Sequence, residues 1–291
     1  MPRSGHVDAV FAISPGRSGS AYLAWLMEQL PGCVSFHERT PVGNAQAMRR
    51  FLVGRPGLMQ RIAQRKARHI AEARSVGKVY IETNHCFIKG FGWLLPQLLP
   101  RYRFGIVVLK RPARRIADSY QRLGATPLSP TGPYWVLTPR LVDPIIPPPH
   151  ANDVRTRYEL ARCLNHRWVQ PWISRLVSDF QITAQAYDHA LLRWGVLETR
   201  ALARAYRQRF PDYRYMNLTL KQLNQPQGVR SMLDAFGLPW TDRLYKRIGV
   251  AQNRKSERVR SVATMSRRVD STDNAASSPF QNSTTDPMPT P

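Results

Sequence analysis

The chain has 291 residues, of which 43 are Lys or Arg and 19 are Asp or Glu, so its formal net charge is +24. This length is enough to bury one complete α/β core, and the excess of cations favours acidic partners. Three widely spaced cysteines predict neither a disulfide framework nor a metal site, and no apolar run of about 18 residues predicts a membrane span.

The first predicted strand, Asp8–Ile13, begins so early that no signal-peptide core precedes it, and we expect a cytoplasmic protein. A loop with the sequence SPGRSGSAY follows and leads into a helix predicted over Ala21–Leu30. A strand that turns through Gly and Ser into a helix exposes unpaired backbone N–H groups, which suit an anion. The loop lacks the Lys-Ser or Lys-Thr pair of a Walker A sequence, so metal-assisted cleavage of a triphosphate is poorly supported.

Polar side chains follow the next two predicted strands. The strand Cys33–Phe36 is followed by His37-Glu38, and the strand Lys78–Glu82 is followed closely by His85. Between them, residues 44–75 are helical in pattern, with a break at 54–57. Alternating strands and helices predict a parallel sheet that is covered by helices on both faces.

A second strand–loop–helix segment begins with the strand Phe104–Leu109. The sequence KRPARRIADSYQR follows it, placing Arg111 at the strand end and Ser119 two turns into the next helix. Ligands of open α/β sheets bind at the carboxyl ends of the strands. The two segments therefore predict two neighbouring sites for phosphate-like groups.

The rest of the chain divides into three parts. Residues 124–152 are rich in proline and also carry aromatic and apolar side chains, which favours an ordered lid or substrate loop. The pattern of residues 158–209 predicts two helices, separated by a break near 178–181. Residues 261–291 are of low complexity and predict a disordered tail, which leaves a single domain over residues 1–260.

Together, these segments resemble sulfotransferases that use 3′-phosphoadenosine 5′-phosphosulfate (PAPS), over about residues 8–260. The resemblance implies a three-layer α/β/α fold with a central parallel sheet, similar to P-loop nucleotide hydrolases, and no metal. It implies that Arg111 and Ser119 bind the 3′-phosphate and that Tyr215 lies near the nucleotide. The residues implied to bind the 5′-phosphosulfate form the first loop: Gly16, Arg17, Ser18, Gly19, Ser20 and Ala21.

Three positions depart from the family pattern. Ala21 replaces a second hydroxyl, and Pro112 directly follows Arg111. Many members also carry a second catalytic Lys at the end of the strand that corresponds to Lys78–Glu82, where this chain has Glu82, Thr83 and Asn84. Either Asn84, His85 or Lys89 then assists the leaving group, or the enzyme is slow or unusual.

Sulfuryl transfer to a hydroxyl needs a cation at the leaving oxygen, in-line positioning and a base. Arg17 is the natural cation. Glu38 is the favoured base, because its surroundings resemble those of the base in tyrosylprotein and heparan sulfotransferases. His85 is the alternative, since it lies near where the cytosolic small-molecule enzymes carry a catalytic His, and His37 comes third.

Two other classes of protein share some of these features. A P-loop nucleotide kinase or hydrolase would have the same sheet, and a basic nucleic-acid-binding protein would explain the charge. The first lacks the Walker Lys, and the second lacks a recognised motif, so no nucleic-acid partner is expected. The hydroxyl acceptor could belong to an acidic peptide, a glycan or a lipid, and the product of the donor would be adenosine 3′,5′-bisphosphate. The sequence leaves the oligomeric state undetermined.

Overall fold

A computed structural model describes residues 5–127, 129, 132–138, 144–148 and 171–250, with the backbone alone for 133, 171–184 and 187. The predicted tail at 261–291 lies outside the described residues, as do parts of the proline-rich segment. Within the described ranges, no helix is both long enough and apolar enough to cross a membrane.

Five strands and nine α-helices alternate along the described chain. The strands are β1 (Ala9–Ile13), β2 (Cys33–His37), β3 (Val79–Thr83), β4 (Phe104–Lys110) and β5 (Arg214–Thr219). The helices are α1 (Ser20–Met27), α2 (Ala45–Leu52), α3 (Gly57–Ser75), α4 (Leu95–Leu98), α5 (Ala113–Arg122), α6 (Pro171–Arg209), α7 (Leu220–Leu223), α8 (Pro226–Phe236) and α9 (Asp242–Tyr245). Short 3₁₀ turns occur at Phe91–Trp93 and Gly132–Tyr134.

The five strands form one sheet in the order β2-β3-β1-β4-β5, and every neighbouring pair is parallel. The central strands are buried on both sides, as expected for a parallel sheet between helical layers. Phe11 and Ile106 face a core shared with α3 and α6, whereas Val10 and Val107 face a core shared with α1 and α8. The prediction of an α/β fold with a central parallel sheet between helical layers is confirmed.

The predicted break near 178–181 is wrong. A continuous helix, α6, runs from Pro171 to Arg209. Proline is tolerated at the first position of a helix, and no further proline follows within α6, so nothing removes a backbone hydrogen bond in its interior. The predicted break at 54–57 is confirmed, because α2 ends at Leu52 and α3 begins at Gly57.

Candidate active site

The two segments predicted to bind phosphate-like groups meet at the carboxyl-terminal edge of the sheet. They follow β1 and β4, which are paired in register from Ala9 with Phe104 to Ile13 with Val108. The Arg17 Nε donates a hydrogen bond to the Ser119 Oγ at 3.1 Å, and Arg111 Nη1 donates to the Arg17 carbonyl oxygen at 2.6 Å. Residues about a hundred positions apart therefore form one cluster.

The backbone of the loop after β1 turns repeatedly through the left-handed region. Gly16, Arg17 and Gly19 have φ values of 87°, 53° and 95°, in the left-handed region. Ser14 Oγ accepts a hydrogen bond from the Gly16 N–H at 3.0 Å and shares another with Ser18 Oγ at 2.6 Å. Gly19, the N-cap residue of α1, makes no side-chain cap, and an uncapped helix N-terminus suits an anion.

Tyr120 closes the loop from the α5 side, and the sequence reasoning missed it. Its hydroxyl donates to the Pro15 carbonyl oxygen at 2.9 Å, and a Cβ atom at Gly16 would come within 1.9 Å of this hydroxyl. Gly16 is therefore needed both for its φ angle and for the close approach of the phenol. In the sequence, the only indication that Tyr120 belongs to the site is its position directly after Ser119.

Several arginine side chains lie close together on the β4 side of the loop. Burial lowers the pKa of the Arg111 guanidinium, and the nearby positive charges of Arg17, Arg115 and Arg122 lower it further. Like charges at this range repel one another, and a bound anion would relieve the repulsion.

A cleft of about 620 Å³ extends from Arg111 between α6 and β5. Arg200 forms part of the wall of this cleft, and its Nη2 donates a hydrogen bond to the Arg111 carbonyl oxygen at 2.6 Å. Its floor is apolar, and its cationic lining residues are Lys110, Arg111, Arg200, Arg204, Arg207 and Lys221. Tyr215 also lines it, but its hydroxyl donates to the Phe210 carbonyl oxygen at 2.8 Å, and within the described residues it makes no hydrogen bond to either phosphate-binding segment.

The two candidate bases contact each other. Glu38 follows β2 and His85 follows the neighbouring strand β3, where His37 pairs with Thr83. Glu38 Oε1 lies 2.5 Å from His85 Nδ1. The third candidate, His37, is held through Nδ1 by the Thr83 hydroxyl at 2.9 Å. The alternatives that the sequence left open, Glu38 or His85, therefore form one hydrogen-bonded pair.

The surroundings of this pair favour an ionised carboxylate and a neutral imidazole. Burial lowers the pKa of His85 to about 4. Burial alone would raise the pKa of Glu38, but the hydrogen bond from His85 and nearby positive charges outweigh it, and the pKa is lowered. A neutral His85 must carry its proton on Nδ1 to donate to the carboxylate. Its Nε2 then faces Cys86 Sγ at 3.4 Å, inside the protein.

The exposures of the two side chains differ. The Glu38 side chain is 25% exposed, whereas that of His85 is 5% exposed. The ring of Trp135 lies 5.2 Å from the His85 ring, between centroids. Lys89 is also buried, and its Nζ donates to the Trp135 carbonyl oxygen at 2.6 Å. Trp135 belongs to the proline-rich segment, so this part of the segment packs against His85 and Lys89.

A second part of the proline-rich segment is attached to α6. The Glu198 carboxylate accepts hydrogen bonds from the N–H groups of Ile145 and Ile146, both at 2.9 Å. Trp194 Nε1 donates to the Ile146 carbonyl oxygen at 2.8 Å. The described parts of this segment therefore contact α6 and the residues after β3, while an ordered lid stays a prediction.

Lowering the pH from 7 to 5 should weaken folding through His85. Its folded pKa of about 4 lies below the ordinary value of 6.5, so the unfolded chain binds more protons between these two values. The stability from this group is complete above pH 6.5 and is lost as the pH falls towards 4, by about 2 kcal/mol at pH 5. Urea unfolding at both pH values measures the loss. A His85→Gln variant should lose less, and an equal loss in it would assign the acid sensitivity to other groups.

No protein-family model and no curated protein matches the chain. Among solved structures, the chain is similar to a sulfotransferase domain from the curacin biosynthetic pathway, with a TM-score of 0.39 and 11% sequence identity. The match covers 86% of this chain and 80% of that chain. So slight a likeness carries no weight for function, which is inferred below from the geometry of the site.

Proposed function

We propose that the protein is a sulfotransferase that moves a sulfuryl group from PAPS to a hydroxyl acceptor by in-line displacement. The observation that carries this proposal is the junction of Arg17 with Ser119 and Arg111. It brings a loop suited to a phosphosulfate within hydrogen-bond distance of a pair suited to a 3′-phosphate. Two anionic groups on one nucleotide would satisfy both halves of this cluster.

The order of the strands supports in-line transfer. The loop after β1 lies between β3 and β4 in the sheet. Arg111 and the cationic cleft are on its β4 side, and the Glu38–His85 pair follows β2 and β3 on its other side. A nucleotide held on the β4 side would therefore present its sulfur towards an acceptor that enters beside Glu38.

The chemical step requires no metal. The Glu38 carboxylate takes the proton of the acceptor hydroxyl while the acceptor oxygen forms a bond to sulfur. The bond from sulfur to the bridging oxygen breaks, and its electron pair goes to the leaving phosphate of adenosine 3′,5′-bisphosphate. Arg17 and the first N–H groups of α1 stabilise the charge that develops there. Glu38 then releases its proton to solvent.

The chain lacks the second catalytic Lys that many sulfotransferases carry, so Arg17 is the main group that stabilises the charge on the leaving phosphate. Asn84, one candidate replacement, is buried and uses its amide on Glu82 Oε1 at 2.9 Å and on the Val42 carbonyl oxygen at 3.0 Å. We therefore assign leaving-group stabilisation to Arg17. The acceptor is a hydroxyl of an acidic peptide, a glycan or a lipid, and the net charge favours an acidic one.

Retention on immobilised adenosine 3′,5′-bisphosphate tests the donor. The protein should be retained and should be eluted by the free nucleotide, but not by ATP or by an oligonucleotide at equal concentration. Elution by ATP would favour the kinase or hydrolase alternative, and elution by the oligonucleotide would favour a nucleic-acid-binding protein. Transfer of label from PAPS to a panel of hydroxyl acceptors then identifies the acceptor class.

Arg17→Ala should lower turnover far more than it weakens binding of adenosine 3′,5′-bisphosphate. The bridging oxygen gains charge only as its bond breaks, so the guanidinium acts mainly in the transition state. Single-turnover rates and calorimetric titration measure the two effects. Arg61→Ala removes an exposed cation from α3 and serves as the control for charge. Equal losses in rate and affinity in Arg17→Ala would mean that Arg17 only binds the nucleotide.

A further inference from the structure

A buried ion pair lies beside the backbone that follows the candidate base Glu38. Lys66 of α3 and Glu82 of β3 are in contact through Nζ and Oε1 at 2.5 Å, and both side chains are 0% exposed. Neither residue has a role in the chemistry described above. Two charges so far from water need a reason beyond stability, because an apolar pair of similar volume is often as stable or more so.

The ion pair is connected to the segment that carries Glu38. Besides Glu82, Lys66 Nζ donates to the carbonyl oxygen of Arg39 at 2.5 Å. Asn84 links Glu82 Oε1 to the Val42 carbonyl oxygen in the same segment. The network therefore attaches the backbone on the C-terminal side of Glu38 to the end of β3.

The same network is connected to the segment that carries His85. Asn84 Oδ1 accepts a hydrogen bond from the Cys86 N–H at 2.8 Å, and Asn84 itself directly precedes His85. Lys66, Glu82 and Asn84 thus connect the backbone on both sides of the contact between Glu38 and His85. A shift of the backbone by one residue at the end of β2 or β3 would move one of the two side chains to the other face of the sheet and separate the pair.

Glu38 needs such support, because its backbone is strained. Its φ is 54°, in the left-handed region that side-chain-bearing residues seldom adopt. Conformations of this kind persist where the surrounding structure holds them, and they cluster at functional sites. Two hydrogen bonds hold this turn: the Glu38 N–H donates to the Thr83 carbonyl oxygen at 3.1 Å, and Lys66 Nζ donates to the Arg39 carbonyl oxygen at 2.5 Å.

We infer that Lys66 and Glu82 are positioning residues, which hold the strained turn at Glu38 so that its carboxylate meets His85 Nδ1. This inference rests on the proposed function for its kinetic consequence, but its structural consequence can be measured without any activity. The Lys66 ammonium is the essential part, since it is the group that binds the backbone next to Glu38. Glu82 stabilises the positive charge of that ammonium and orients it towards the Arg39 carbonyl oxygen.

The test replaces the ion pair by neutral side chains of similar shape, Lys66→Met with Glu82→Gln. This change removes both charges together, so neither is left buried and alone. Tyr80→Phe is the matched control, because it removes the hydrogen bond that the Tyr80 hydroxyl donates to the Glu82 carboxylate at 2.7 Å. It keeps the ring that lies against the Arg39 guanidinium, and it leaves the bond from Lys66 Nζ to the Arg39 carbonyl oxygen in place. Should the double replacement fail to fold, Lys66→Met with Glu82→Leu is the second variant, because an apolar pair is often tolerated in place of a buried ion pair.

The first measurement is the proton resonance of the Glu38–His85 hydrogen bond. It should appear far downfield in the unmodified protein and in Tyr80→Phe, and it should be lost in the double replacement. Persistence of the resonance in a folded double replacement would overturn the inference. Its loss in a protein that transfers no sulfuryl group would support the inference and count against the proposed function alone.

The second measurement is a double-mutant cycle on turnover. The double replacement should lower turnover by at least about tenfold when Glu38 is present. In a Glu38→Gln background it should change turnover by less than about twofold, because positioning a group that has been removed has no effect. The affinity for adenosine 3′,5′-bisphosphate should stay unchanged. An equal loss in both backgrounds would overturn the inference and leave the ion pair a purely structural role.

Discussion

Glu38→Gln should lower turnover by about 10²–10⁴-fold while leaving nucleotide affinity unchanged. The substitution keeps the volume of the side chain and an oxygen that can accept the hydrogen bond from His85, but it removes the proton acceptor. Nucleotide affinity should not change, because Glu38 lies on the opposite side of the loop from Arg111. Single-turnover transfer from labelled PAPS and calorimetric titration with adenosine 3′,5′-bisphosphate measure the two quantities.

His85→Ala separates the two members of the pair. With the imidazole removed, the hydrogen bond that lowers the pKa of Glu38 is lost, and burial again raises that pKa. The base must be deprotonated to act, so the acid limb of the pH–rate profile should move to higher pH. Turnover at high pH should fall less than in Glu38→Gln. If His85→Ala is the inactive variant and Glu38→Gln keeps a near-normal rate, His85 is the base instead.

Arg111→Ala combined with Ser119→Ala should weaken binding of adenosine 3′,5′-bisphosphate by at least about 100-fold, because hydrogen bonds to a charged group contribute roughly 1.5–3 kcal/mol each. The loss has a second cause here. Arg111 donates to the Arg17 carbonyl oxygen and Ser119 accepts from Arg17 Nε, so the phosphosulfate loop also loses its support. Calorimetric titration measures the affinity.

Arg114→Ala is the control for this experiment, because Arg114 is exposed on the same helix, α5. It should leave the affinity within about twofold, as surface charges contribute little. Circular dichroism at the titration temperature establishes that both variants are folded. An unchanged affinity in the folded double variant would contradict both the assignment of the 3′-phosphate site and the proposed sulfotransferase function.

Much of the fold could be predicted because it is encoded locally. The apolar runs before Ser14 and Lys110 each form a buried strand, and each is followed by a helix within a few residues. The break at 54–57 was predictable because Pro56 and two glycines interrupt the helical pattern. The predicted break at 178–181 is absent because these four residues include neither proline nor glycine, and none of them removes a backbone hydrogen bond.

The residue types of the candidate site could be predicted, but most of the contacts between its side chains could not. Lys66 occupies a helix in a strongly cationic stretch, where a lysine is ordinarily solvated, yet it is buried against Glu82. Trp135 is in a proline-rich segment with no periodic pattern, so nothing in the sequence connects it to Lys89 or His85. The contact of Lys89 with Trp135 joins residues 46 positions apart, and the contact of Lys66 with Glu82 depends on how α3 packs against β3.

The sequence by itself determined the layered α/β architecture and the two strand–loop–helix segments, because strand and helix periodicity and glycine conformation act over a few residues. Only the tertiary structure decided which side chains meet. Arg17 and Ser119 are 102 residues apart, and Glu38 and His85 are 47 apart. Their contacts depend on β1 lying beside β4 and on β2 lying beside β3, and strand order follows from the packing of the whole sheet rather than from any local pattern.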